Sequence, residues 1–156
     1  MSNQGVRGFY QILETIKENL LTNIDINTVT TGSLSDINLR KQDIFPLAHI
    51  LVNNAIIEEQ IIRFNITVFA MDIVNQSKDE TVDIFTGNNN VQNILNTQLA
   101  VLNKLISVLQ RGNLYTNQYQ LDTNPVCEPF YDRFDNELAG WSASMDILIN
   151  NDINIC

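Results

Sequence analysis

The chain has 156 residues, with 18 Asp plus Glu against 9 Lys plus Arg and a formal net charge of −9. That balance lacks the cationic footprint of a protein built to hold nucleic acid or an anionic membrane surface, and the length suits one domain, 1–156, better than two. Hydrophobic residues at 44% are enough for a core while charged residues reach only 17%, so polarity falls to Asn, Gln, Ser and Thr, which are cheaper to desolvate than ions against another protein.

The first predicted element is a helix. Phe9, Ile12, Leu13, Ile16 and Leu20 recur at helical spacing and form one apolar stripe, with Asn23 and Asp25 expected to end it. Residues Asn27–Thr31 are β-prone and stop at Gly32-Ser33, a turn signal. Leu34–Lys41 is weakly patterned and reads as a loop with a short extended piece. A strand is expected over Leu47–Ile57, with Ala48, Ile50, Val52 and Ile56 on one face and Leu47, His49, Leu51 and Asn53 on the other.

Glu58-Glu59-Gln60 is a polar break of hairpin length, leading to a strand over Ile61–Val74. There Ile62, Phe64, Ile66, Val68 and Ala70 alternate with Arg63, Asn65 and Thr67. Phe69, Met71 and Ile73 then make the second face apolar too, as expected where a strand is covered twice, by its own helix or by a neighbouring subunit. Gln76–Asn90 reads as a polar loop. Val91–Arg111 is a second helix, with Asn90 as candidate N-cap and Gly112 at its stop. Asn113–Asn124 reads as an amide-rich loop carrying Tyr115 and Tyr119, and together with Gln76–Asn90 it is expected to supply subunit-bridging or tail-facing arms. Pro125 and Pro129 bracket an extended stretch, and a helical turn is expected over Tyr131–Leu138. A last strand alternates Trp141, Ala143, Met145, Ile147 and Ile149 with Ser142, Ser144, Asp146 and Asn150. The predicted architecture is α+β: an antiparallel or mixed sheet of about four to five strands packed on two helices.

Chemistry needs groups brought together, and the sequence offers few. His49 stands alone inside an apolar strand, with no carboxylate or thiol partner at local spacing, so a packed or exposed strand residue is expected rather than a base or metal ligand. Cys127 and Cys156 match no metal or redox spacing and are expected as free thiols. Glu58-Glu59 at a hairpin tip are expected to stay solvated. Glu128, Asp132, Asp135 and Glu137 around Arg133 read as an acidic turn suited to a subunit contact. Phosphate-loop, nucleophile-elbow and zincin motifs are absent. No run is apolar for long enough to cross a bilayer, and Met1–Gly5 has no apolar core of the kind expected of a signal peptide.

Two segments carry a family resemblance. One is Lys41-Gln-Asp-Ile-Phe-Pro-Leu-Ala-His-Ile-Leu-Val-Asn-Asn, running on to Phe64-Asn-Ile-Thr-Val-Phe-Ala-Met-Asp-Ile-Val. The other is Cys127-Glu-Pro-Phe-Tyr-Asp-Arg-Phe-Asp-Asn-Glu-Leu-Ala-Gly-Trp with the strand that follows. Locally, Phe-Pro opens a strand where a missing amide donor costs nothing, and the glycine of Leu-Ala-Gly-Trp is expected to take a positive φ at a turn. Together these segments resemble neck, ring or tail-completion proteins of tailed bacteriophages, especially crAss-like phages.

The resemblance implies a non-enzymatic, tail-terminator-like virion subunit, made in the cytoplasm of the bacterial host. Its copies would close a ring of six or twelve, twelve favoured, at the head-tail junction. Portal, neck or tail ring proteins would be its neighbours, without cofactor, metal or membrane, and genomic DNA would pass through without tight binding. Phe69, Met71, Ile73, Tyr115, Tyr119, Asp132, Arg133 and Asp135 are the expected subunit contacts. Glu58, Glu59, Asp79, Glu80 and Asp83 are the expected source of channel-facing charge. A cytoplasmic adaptor domain acting as monomer or dimer is the alternative that composition leaves open.

Overall fold

The computed structural model describes residues 7–33, 44–74, 90–114, 119–133 and 138–151. Along the chain run α1 (Arg7–Leu21), β1 (Thr28–Thr31), β2 (Leu47–Ile57), β3 (Ile61–Ile73), α2 (Val91–Gln110), β4 (Tyr119–Leu121), β5 (Val126–Arg133) and β6 (Leu138–Asn150). The fold is α+β, with one mixed six-stranded sheet in the order β1-β2-β3-β6-β4; β5 also pairs with β6. β1 runs parallel to β2, and every other pairing is antiparallel.

Both helices cover one face of the sheet. Ile12, Ile16 and Leu20 of α1 and Val101, Leu102, Leu105 and Leu109 of α2 are buried against Ala48, Ile50, Ile66, Val68, Ala143, Met145 and Ile147. The alternation read in β3 and β6 sends these side chains to one face because successive strand residues point to opposite sides. Trp141 lies at the margin of this core, half-buried, and its indole Nε1–H donates to the Leu95 carbonyl of α2 at 2.7 Å. The α2 start at Asn90 fits the sequence, but its side chain does not cap the helix; Nδ2 donates to the Ile73 carbonyl at 3.4 Å instead.

Four local expectations are corrected. Ile56 does not share a face with Ala48, Ile50 and Val52. The β2–β3 register slips between Val52 and Asn54, so Asn53 is an extra residue and Ile56 lies opposite Arg63. A one-residue bulge inverts every later side chain, which leaves Ile56 53% exposed on the other face. Second, no helical turn starts at Tyr131: β5 continues to Arg133, with Pro129 inside it. That proline is tolerated because β5 pairs only with β6 among the described strands, leaving an outer edge where no N–H is required.

Third, Gly140 lies within β6 and has no positive φ; Gly32, at φ 104°, is the described glycine that does. A Cβ on Gly140 would stand 2.8 Å from the Met71 Cα and closer still to the Ala70 carbonyl oxygen. The glycine is therefore a matter of backbone approach between β3 and β6. Fourth, Asn113–Asn124 is not wholly loop: Tyr119–Leu121 pairs with Ile147–Ile149 as β4.

Candidate functional site

The face of the sheet away from the helices has two unlike halves. At one end Phe45, Leu47, Phe69, Met71, Phe130 and Leu138 form a second buried cluster, with Ile44, Leu51 and Ile73 packed on it. Phe69 meets Phe130 edge-on at 6.3 Å, a favoured aromatic geometry. Phe69 and Met71 are thus covered by the chain itself; Met71 is 0% and Phe69 8% exposed. They are not free to be subunit contacts while this cluster is closed, and the double-sided apolarity of β3 has an intramolecular cause.

The other half is polar and hydrogen-bonded across three strands. Asn53 Nδ2 donates to Asn65 Oδ1 and to Thr67 Oγ1, both at 2.8 Å. Asn65 Nδ2 donates to Asp146 Oδ1 at 3.0 Å, and Thr67 shares a hydroxyl contact of 3.1 Å with Ser144. The Arg63 guanidinium donates to Asp122 and lies 3.9 Å from Glu58. The Asp122 hydrogen bond, with the Asp122, Glu58 and Asp146 charges, holds Arg63 more firmly in its charged form. No described helix crosses this half: Asn53 and Ser144 are exposed, and Asn65 and Asp146 half-buried. The rim is apolar, with Ile56 at 53% and Val126 at 65% exposure.

His49 is fully buried and engaged on both nitrogens. Nε2 lies 2.7 Å from the Gly32 carbonyl, which can only accept, so this nitrogen carries the proton. In the neutral ring Nδ1 then accepts from the Thr30 hydroxyl at 2.8 Å. Burial lowers the pKa of His49 and the Gly32 bond only partly opposes that. The ring ties β1 and its turn to β2, a packing role. Cys127 is a free, half-buried thiol whose pKa burial raises, which disfavours the reactive thiolate. Among the described residues no group of three or more His, Cys, Asp or Glu could hold a metal ion, and no helix is long and apolar enough to cross a membrane.

The remaining expected contact residues are scattered. Tyr119 is buried in the main core beneath α2, not presented on an adaptable loop. Tyr115 and Asp135 lie outside the described residues, as do Asp79, Glu80, Asp83, Glu137 and Cys156. Asp132 and Arg133 fall at the end of β5. Glu58 and Glu59 stand exposed at the β2–β3 turn. The polar half-face was missed as a unit because each strand's polar residues looked merely solvated; only the β2–β3–β6 register brings them together. No family model and no curated protein matches the chain.

Proposed function

We propose that the chain is a structural, non-enzymatic subunit of a tailed-phage virion. Its copies form a ring at the head-tail junction or upper tail, link portal to tail and line the DNA channel. The observation that carries this reading is the uncovered polar half-face of the sheet. A two-layer domain has finished its own core on the helical side and closed an apolar cluster on the other. What it leaves open is an amide-lined, acidic surface with exposed Ile56 and Val126 at the rim. Surfaces poor in ions at their centre and apolar in part suit protein contact. The sequence resemblance supplies the virion setting. His49, buried and bonded through both ring nitrogens, is better suited to packing than to service as a base.

The β2–β3 turn adds a channel element. Glu58 and Glu59 sit at the exposed end of a long hairpin, where negative charge keeps a sliding duplex off the wall. Electron microscopy of the full chain, alone and bound to the virion's portal ring, is the test. A closed ring of six or twelve copies is expected, twelve favoured. A chain that stays monomeric on the portal and is missing from purified virions overturns the reading.

A further inference from the structure

The same domain presents a second surface of opposite character. α2, Val91–Gln110, contains no Asp or Glu at all. Its buried residues, among them Ile94, Leu102 and Leu105, face the sheet, so its outer flank points away from the polar half-face. That flank is amide-rich, through Gln92, Asn93, Asn96 and Asn103, and carries exposed Lys104 with Arg111 just beyond the helix end. Leu99 adds a 39% exposed apolar side chain. In a chain of net charge −9, a twenty-residue helix free of carboxylates is the exception. The polar half-face has the reverse balance: Arg63 lies beside Asp122, Glu58 and Asp146, and Glu128 pairs with Ser142 on the same face.

We infer that the polar half-face of the sheet docks against the α2 flank of a second copy, which sharpens the ring reading and rests on it. Charge selects the occupant. The acidic half-face repels most of an equally acidic copy, and α2 is the described helix that brings bases without acids. Amides oppose amides in the middle, where both surfaces can be desolvated at low cost. Lys104 and Arg111 meet the carboxylates, Asp146 and Glu128 foremost, and Leu99 reaches the apolar rim. The two surfaces lie on opposite sides of the domain, so the contact is head-to-tail, and such contacts close rings when their rotation allows.

Charge-swapped variants of the full chain test the contact. The helix variant is Lys104→Glu with Arg111→Glu. The sheet variant is Glu128→Lys with Asp146→Asn, which keeps an oxygen for Asn65. Circular dichroism first checks that each folds as the wild type does. Native mass spectrometry at low salt, with and without the portal ring, then reads assembly. The wild type is expected to assemble, each variant alone to lose assembly because like charges face each other, and an equimolar mixture to regain it. Carbodiimide coupling of wild-type assemblies should give inter-chain links from Lys104 to Glu128 or Asp146. If the wild type assembles and the helix variant assembles equally well, or the mixture stays monomeric, this docking is wrong while the ring reading stands. If the wild type never assembles even on the portal, the ring reading falls and the docking with it.

Discussion

The two faces of β3 differ in what holds them. Toward the helices, Ile62, Phe64, Ile66, Val68 and Ala70 are buried by apolar packing that needs no particular partner orientation. Away from them, Arg63, Asn65 and Thr67 are held by directed bonds to Asp122, Asp146, Asn53 and Ser144. A packed face tolerates substitution by volume and a bonded face by geometry. The bonded half also keeps hydrogen-bonding capacity on its amides and carboxylates, whereas the packed half has no polar side-chain group to offer.

The largest loss should fall on the packed side. Trp141→Ala removes a large ring from the core margin together with its bond to Leu95, and should cost ~3–5 kcal/mol in urea unfolding. A loss under ~1 kcal/mol would mean that α2 is not anchored through this ring. On the bonded side, Asn65→Ala cuts the link between Asn53 and Asp146 and should cost about 1 kcal/mol in urea unfolding, with the proposed contact between copies more affected than the fold.

Acid should expose a third difference. His49 has a pKa below its ordinary 6.5 in the folded chain. Below about 6.5 the unfolded chain therefore binds the proton first, and the stability this residue contributes is lost as pH falls toward the folded value. Chemical denaturation across that window should show a decline that His49→Gln removes; an unchanged slope would show that the ring does not titrate there. Asp72 works in the opposite sense, since burial raises its pKa. Its carboxylate opposes folding increasingly as pH rises above 3.8, so Asp72→Asn should stabilise slightly at neutral pH, read as a higher Tm. The smallest effect belongs to Gln98, whose buried Oε1 has no hydrogen-bond partner among the described residues; Gln98→Met should be neutral or stabilising by up to about 1 kcal/mol.

Much of the framework was legible in the sequence. Helical spacing placed α1 and α2, and alternation placed β3, β6 and most of β2, because one-sided burial imposes those periods. Three things were not. The bulge at Asn53 left no mark, since Asn-Asn-Ala-Ile-Ile reads as strand in either register, and so Ile56 was put on the wrong face. β4 has three residues, too few to show a period, which is why Tyr119 looked like loop. β5 carries a proline in its middle and was divided into an extended piece and a turn. For the polar half-face the missing quantity was register: residues 77 and 81 apart in the chain, Thr67 with Ser144 and Asn65 with Asp146, become neighbours only when β6 lies beside β3.

That same pairing governs when the domain can exist. β3 and β6 form a thirteen-pair ladder at the middle of the sheet, from Ile61 opposite Asn150 to Ile73 opposite Leu138. Contacts at such separation must first meet the cost of closing a long loop, which slows folding relative to local pairing. During synthesis the β2–β3 hairpin can form early, yet β3 keeps a bare inner edge until Leu138–Asn150 has emerged. For that interval the nascent chain offers an apolar strand, Ile66–Met71, to any other chain nearby. Slow translation over α2 would lengthen the interval, and crowding many copies on one messenger would make it costly. Of the described strands, the last one made is the one that completes the sheet.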